Sequence, residues 1–257
     1  MRFINKYIDK KLPIYWIIWG NDLYNKLLYP KGFELYDTQS SYYKKYKKSF
    51  FSDAFNKIIN NLKTIKIEKF ISKRISYIVT DTTENDYEML LKYYPKLKHI
   101  PWKEFFYYPI DSVLSEELMQ KWVDGNNIQI GNSASITNNH EYAMRPLSKL
   151  NLDNKKIYVP LSYSGTKEYR ESVKSKGLEY FEDKFIALED FLPLEEYNRL
   201  MLSFSVAIYG NFRQEAVGNI LISLYLGAKV FLPENNPVYF WAKKLNLIIF
   251  ALESISQ

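Results

Sequence analysis

The chain has 257 residues, 47% of them hydrophobic and 25% charged, ordinary values for a folded protein that buries a real core. It has no cysteine and only two histidines, His99 and His140, which excludes disulfides, thiolate chemistry and any metal site built from several Cys or His. The net charge of +6 arises in residues 1–127, with 21 Lys and Arg against 15 Asp and Glu, while residues 128–257 carry 14 of each.

Met1-Arg2-Phe3-Ile4-Asn5-Lys6 meets charge too soon for a signal peptide, and no run of about 18 apolar residues exists to span a bilayer. A cytoplasmic protein is expected. Ile14–Trp19 reads as a buried strand that runs into Gly20-Asn21-Asp22-Leu23-Tyr24. A carboxylate at such a strand end is placed to act as a general base on a hydroxyl; the plain alternative is that Asp22 caps a short helix.

From Lys44 to Arg74, ten basic residues stand against Asp53 and Glu68 alone. Here Ala54, Phe55, Ile58, Ile59, Leu62, Ile65 and Phe70 recur at helical spacing, and Lys57, Asn60, Asn61, Lys63, Lys66 and Lys69 fill the other face. Such a helix either docks on anionic lipid or is a core helix with a solvated lysine face. Aromatic and basic residues also interleave through Tyr42–Arg74, yet no RNA or DNA module is present, so nucleic acid is not an expected partner. Ile75–Val79 forms a second strand, and Asp81-Thr82-Thr83-Glu84-Asn85-Asp86 starts a helix through about Tyr93. The chain changes character near Trp122–Asn127, which sets a domain boundary between 1–125 and 126–257.

The second domain is rhythmic. Strands are expected at Ile128–Ile130, Lys156–Leu161, Lys184–Leu188, Ser205–Tyr209, Lys229–Leu232 and Leu247–Phe250. Helices fall between them at Asn138–Leu150, Thr166–Lys176, Pro193–Leu202, Gln214–Leu226 and Pro237–Lys244. Strands alternating with helices argue for an α/β lobe with a parallel sheet covered on both faces. Thr166 and Pro193 open helices, and Gly177 and Gly227 close them.

Ligands of such sheets bind at the carboxyl ends of the strands, near helix amino termini. Three segments place small or polar residues there. Gly131-Asn132-Ser133-Ala134-Ser135 lets a diphosphate or sugar approach the backbone, unless it is a plain turn. In Leu161-Ser162-Tyr163-Ser164-Gly165, Tyr163 stacks on a base or sugar, unless it is simply a surface tyrosine. Gly210-Asn211-Phe212-Arg213-Gln214 runs on to Gly218 and Asn219. It aims a guanidinium and a helix amino terminus at Gln214 toward a diphosphate. The alternative pairs Arg213 with Glu215 or Glu234 on the surface. No Walker loop or Gly-x-Gly-x-x-Gly fingerprint is present, which leaves ATPase and dehydrogenase readings without a motif.

Taken together, several segments carry a resemblance: Trp16-Ile17-Ile18-Trp19-Gly20-Asn21-Asp22-Leu23-Tyr24, Gly131-Asn132-Ser133 with Asn138 and His140, Val159-Pro160-Leu161-Ser162-Tyr163, Arg213-Gln214 through Gly218-Asn219, and Leu226-Gly227-Ala228-Lys229-Val230 with Glu234-Asn235-Asn236-Pro237. The sequence resembles the bacterial 4-acetamido-4,6-dideoxygalactose transferases of the 4-alpha-L-fucosyltransferase family. These use a dTDP-sugar donor and a lipid-linked saccharide acceptor in building enterobacterial common antigen. The resemblance implies a GT-B fold of two Rossmann-like lobes around an active-site cleft. Residues 1–125 would be a shortened acceptor-side lobe and residues 126–257 the nucleotide-sugar lobe. It implies that Asn132, Ser133, His140, Tyr163, Gln214, Gly218 and Asn219 bind the donor, that Arg213 meets the leaving diphosphate, and that Asp22 serves the acceptor. No cofactor is implied, and without an Asp-x-Asp motif no divalent metal is expected. The membrane's inner face becomes a possible peripheral address. Whether the anomeric configuration inverts stays open, and if it is retained Asp22 need not be a base. The rival reading is an inactive GT-B protein that binds nucleotide or a partner without turnover.

Overall fold

The structure is a computed structural model that describes residues 2–51, 54–81, 84–105 and 109–256, without the side chains of residues 2, 47–51, 54–62 and 81. The chain divides into two compact units, Met1–Leu35 with Lys48–Tyr107, and Tyr36–Lys47 with Tyr108–Gln257. A single cut at 125/126 would leave residues 36–47 and 108–125 on the amino-terminal side, whereas by packing both stretches belong with the second unit.

In the first unit, three parallel strands pair in the order β1 (Tyr15–Ile18), β2 (Tyr77–Asp81) and β3 (Trp102–Phe105). The two expected strands form. The third went unread because Lys103 and Glu104 lie exposed at its centre, so this short edge strand has no apolar run. Helix α1 (Arg2–Tyr7) precedes β1, and α3 (Ala54–Arg74) and α4 (Glu84–Tyr93) occupy the connections, while α2 (Ser41–Phe51) is divided, its residues 41–47 counting with the second unit. Thr82 and Thr83, expected to open α4, lie outside the described residues, as do the side chains of Ala54, Phe55, Ile58, Ile59 and Leu62. Farther along α3 the inward face is Thr64, Ile67 and Ile71. Ile65, expected on the apolar stripe, is 41% exposed among Lys63, Lys66 and Lys69. The unit's core collects Leu23, Tyr24, Leu27 and Leu28 with Ile78, Leu90, Tyr94 and Leu97. Among the described residues its two buried phenols are satisfied: Tyr24 donates to the Asp86 carboxylate, and Tyr94 donates to the Leu27 carbonyl at 2.8 Å.

The second unit is a six-stranded parallel sheet with the order β6-β5-β4-β7-β8-β9. Its strands are β4 (Asn127–Ile130), β5 (Ile157–Pro160), β6 (Phe185–Leu188), β7 (Phe204–Ile208), β8 (Lys229–Leu232) and β9 (Phe250–Ala251). Its helices are α5 (Glu116–Met119), α6 (His140–Leu147), α7 (Lys167–Phe181), α8 (Leu194–Met201), α9 (Val217–Tyr225) and α10 (Pro237–Lys244). The expected elements form, although the strand expected over Leu247–Phe250 is reduced to Phe250–Ala251, and three further details change. Gly177 does not end α7. It lies buried inside that helix, where a Cβ would meet the Phe185 ring at 2.1 Å, so it allows close helix–strand packing. The helix expected from Gln214 begins at Val217, and the one expected from Asn138 begins at His140 because Asn139 takes φ 47°. Thr166 does cap α7, accepting from the Tyr169 amide.

Apolar side chains fill both faces of this sheet. Ile128, Ile130, Ile157, Val159 and Ile208 pack with Met144, Leu147, Val173 and Phe181, while Ala207, Tyr209, Val230 and Leu232 pack with Ile220, Val238 and Ala242. Each fully buried Val, Leu, Ile or Met side chain among them stabilises the fold by roughly 1.5–3 kcal/mol. The chain builds outward from β4 through β5 to β6, then crosses back to β7 and builds the other way. The strand order therefore reverses between β4 and β7, the place where open α/β sheets form their ligand crevice. No helix among the described residues is long and apolar enough to cross a membrane.

Candidate functional site

The loops that follow β4 and β7 flank the reversal. After β4, Gly131 takes φ +71°, and a Cβ there would stand 2.8 Å from both Asn138 Oδ1 and His140 Nε2. The turn is thus pinned from below, and Asn138 Oδ1 accepts the Asn132 amide at 3.0 Å. Asn132 Nδ2 donates to the Tyr163 hydroxyl at 3.1 Å, while Ser133 Oγ accepts from Asn138 Nδ2 at 3.2 Å. His140 is wholly buried at the first turn of α6, with Nδ1 3.0 Å from the Tyr169 hydroxyl. Burial pushes its imidazole down to about 3, so the ring is neutral at physiological pH.

After β7, the segment Tyr209–Ala216 is irregular, buried through Arg213 and half-buried after it, and its polar groups are tied down in detail. Asn236, which caps α10 through Oδ1, donates Nδ2 to the carbonyls of Asn211 (2.6 Å) and Arg213 (3.3 Å). Arg213 pairs with Glu215 at 3.0 Å, with side chains only 10% and 13% exposed. The Glu215 carboxylate also accepts from Thr137 Oγ1 at 2.6 Å and from Asn211 Nδ2 at 2.9 Å, which clasps one loop to the other. The pairing of Arg213 with Glu215 does form, but in a buried network and not on the surface. Arg213 also stands four residues ahead of α9, so the Gln214 amide does not open that helix. Gly218 and Asn219 do, in its first turn.

Beside these loops lies an open cleft of about 680 Å³. Asn132, Tyr163 and Asn219 reach it from the sequence-derived set, joined by Asp190, Phe191 and Tyr197. Phe191 is 79% exposed and Tyr163 50%, so two aromatic faces stand open at the rim. Tyr197 accepts Gln129 Nε2 at 3.0 Å, and that same nitrogen donates to the Gly131 carbonyl at 2.9 Å. Gln129 thereby links the cleft to the Gly131 turn. Burial raises the Tyr197 phenol well above its ordinary range and keeps it protonated, able to donate. Gly218 faces elsewhere, toward an apolar groove with Ile110, Leu221 and Leu247. His140, Ser133 and Arg213 do not line the cleft. Gln129, Thr137 and Tyr197 escaped the sequence reading, and Glu215 entered it only as a surface partner for Arg213; the one visible sign of the others was a lone glutamine inside the apolar run Ile128–Ile130.

Asp22 belongs to the first unit. Its Oδ2 accepts Trp16 Nε1 at 2.6 Å and its Oδ1 accepts the Trp19 amide at 2.9 Å, so the carboxylate is oriented by the end of β1. Among the described residues no group of three or more His, Asp or Glu is arranged to hold a metal ion.

A parallel sheet with two clasped loops and an aromatic-rimmed cleft at its reversal agrees with what the sequence comparison finds. The sequence model of the 4-alpha-L-fucosyltransferase family, glycosyl transferase group 56, matches residues 65–256. The chain belongs to this family. Solved structures give the fold independently. Trehalose 6-phosphate synthase from Burkholderia multivorans matches with a TM-score of 0.55 at 8% identity over 78% of this chain and 52% of that one. HepE from Anabaena, solved with UDP and glucose, matches with 0.53 at 11% identity over 68% and 49%. WaaG, a glycosyltransferase involved in lipopolysaccharide biosynthesis, matches with 0.54 at 11% identity over 86% and 62%. At these identities the likeness is one of fold, and the fold is that of the GT-B glycosyltransferases. The group-56 chain spans about half the length of the first two structures.

Proposed function

We propose that this chain is a glycosyltransferase that moves a 6-deoxy acetamido sugar from a dTDP-linked donor to a hydroxyl of a lipid-linked saccharide. The observation that carries the reading is the pair of loops at the strand reversal. One brings Asn132 and carries Ser133 beside it, the other carries Arg213 and leads to Asn219, and Asn132 and Asn219 border a cleft whose other wall is aromatic. Family membership supports the reaction class, and the HepE structure offers a GT-B precedent with a nucleoside diphosphate and a sugar. The lipid-linked acceptor and the dTDP base rest on the sequence resemblance, and the WaaG likeness in fold agrees with work on surface saccharides.

In the proposed reaction the bond from the sugar C1 to the diphosphate oxygen breaks while the acceptor oxygen bonds to C1. Negative charge gathers on the departing diphosphate, where the Arg213 guanidinium and the amides opening α9 meet it without a metal. If the configuration inverts, the acceptor proton passes to Asp22, whose carboxylate is already oriented by Trp16 and Trp19. Phe191, Tyr163 and Tyr197 would receive the base and sugar.

Calorimetric titration with dTDP, using UDP and GDP as comparators, tests the donor site. Saturable dTDP binding that collapses in Arg213→Ala supports it; absence of binding to all three nucleotides overturns it. Turnover is expected to continue in chelator, and its complete loss there would refute the metal-free mechanism.

A further inference from the structure

Arg213 already has an anion. Glu215 Oε2 accepts from Thr137 Oγ1 at 2.6 Å, Asn211 Nδ2 at 2.9 Å and Arg213 Nη2 at 3.0 Å, and Asn138 Nδ2 lies 3.5 Å from Oε1. These donors come from both loops at the strand reversal. Together they form an anion-binding arrangement with a carboxylate of the same chain seated in it. The pair is too buried for solvent to screen it as a surface pair is screened. Arg213 Nε, by contrast, is buried with no partner, so one edge of the guanidinium is held and another is not.

A guanidinium this buried is costly without a counter-charge. A diphosphate needs that same guanidinium while the donor is bound, and must give it up when the nucleoside diphosphate leaves. We propose that Glu215 is a positioning residue acting through Arg213, an internal anion that holds the guanidinium between turnovers and competes with the diphosphate for it. The inference rests on the reading of Arg213 as the diphosphate's partner. It adds a mechanism of release: as the product departs, Glu215 takes the guanidinium back. It also fixes a sign that a merely structural glutamate would not give. A clasp, once cut, loosens the loops and weakens binding, whereas removing a competing charge strengthens it.

Inorganic pyrophosphate, titrated calorimetrically into the full chain at low salt, isolates this step from base and sugar recognition. Glu215→Gln keeps the shape and drops the charge, and it is expected to tighten pyrophosphate binding about five-fold. The gain vanishes when Arg213→Ala is added. Thr137→Val removes a neutral part of the clasp and keeps the charge, and it gives no tightening. Unchanged or weaker binding in Glu215→Gln would overturn the inference, as would tightening that survives Arg213→Ala. Thermal melts establish that each variant is folded. If dTDP binds normally and the pyrophosphate effect is absent, the competition fails and the donor site stands. If the pyrophosphate effect is present and no nucleotide binds, the donor reading fails and the exchange at Arg213 stands.

Discussion

The imidazole of His140 lies directly beneath Gly131, so close that a Cβ on the glycine would stand 2.8 Å from Nε2. The same Cβ would meet Asn138 Oδ1 at 2.8 Å, and the glycine's φ of +71° already disfavours any other residue. Gly131→Ala is therefore expected to cost about 2–4 kcal/mol in denaturant unfolding, strain and overlap together. The double variant with His140→Ala should recover only the His140 share of the overlap and keep both the Asn138 contact and the backbone strain. A Gly131→Ala protein as stable as the parent would show that the turn is not pinned in this way.

His140 should also leave a mark on stability against pH. Burial depresses its folded value to about 3 from an ordinary 6.5. Between those limits the unfolded chain holds a proton that the folded chain excludes, so acid favours unfolding. The stability due to the neutral ring is complete above about pH 6.5 and is lost as the pH falls toward 3, with a slope near 1.4 kcal/mol per pH unit. His140→Gln has no such proton to exclude. Chemical unfolding of both proteins between pH 7 and 4 should show a shallower fall for the variant, and parallel curves would remove His140 as the cause.

Residues 36–47 are held on α6 by a short set of polar contacts. Asp37 pairs with Arg145, its amide donates to Asn139 Oδ1 at 2.9 Å, and the Ser41 amide donates to Glu141 at 2.7 Å. Tyr42 meets Tyr169 edge-on at 4.9 Å between ring centroids. Asp37 is 6% exposed, but Arg145 is 34% exposed and partly screened. Asp37→Asn should therefore cost only about 1–3 kcal/mol. Trypsin cleavage after Lys44 and Lys45 should quicken as the segment detaches more often. An unchanged unfolding midpoint together with unchanged cleavage would mean that the ion pair does not hold the segment.

What the sequence makes legible is whatever depends on local pattern. The alternation of apolar strands and capped helices after Ile128 announces a parallel α/β unit, because each element's period and cap are written within a dozen residues. Asn132, Tyr163 and Asn219 are legible for the same reason, standing just past strands or at a helix start. Glu215 was visible only as a neighbour of Arg213. Its meaning comes from Thr137, 78 residues earlier, which no local pattern reports. Gln129 and Tyr197 meet across 68 residues, and the Asp37–Arg145 pair across 108. Such contacts are made by the order of strands in the sheet, and that order is set by long-range packing.

The basic helix poses the last question, and its described half frames it. Ile65 lies exposed among Lys63, Lys66 and Lys69, while Thr64 and Ile71 turn inward. The face of α3 that is free to meet a surface thus combines ammonium groups with an apolar side chain, the chemistry that anionic lipid receives. We expect the protein to float with vesicles containing phosphatidylglycerol and to remain behind with pure phosphatidylcholine. Each exposed lysine near such a surface is worth about 1 kcal/mol at physiological salt. Replacing Lys63, Lys66 and Lys69 with glutamine should therefore release most of the bound protein, and Ile65→Ser should release part of it. Raising the salt should act on the parent and spare the residual binding of the triple variant. Equal recovery with both lipid compositions would instead make α3 a core helix whose lysines serve only to keep its outer face in water.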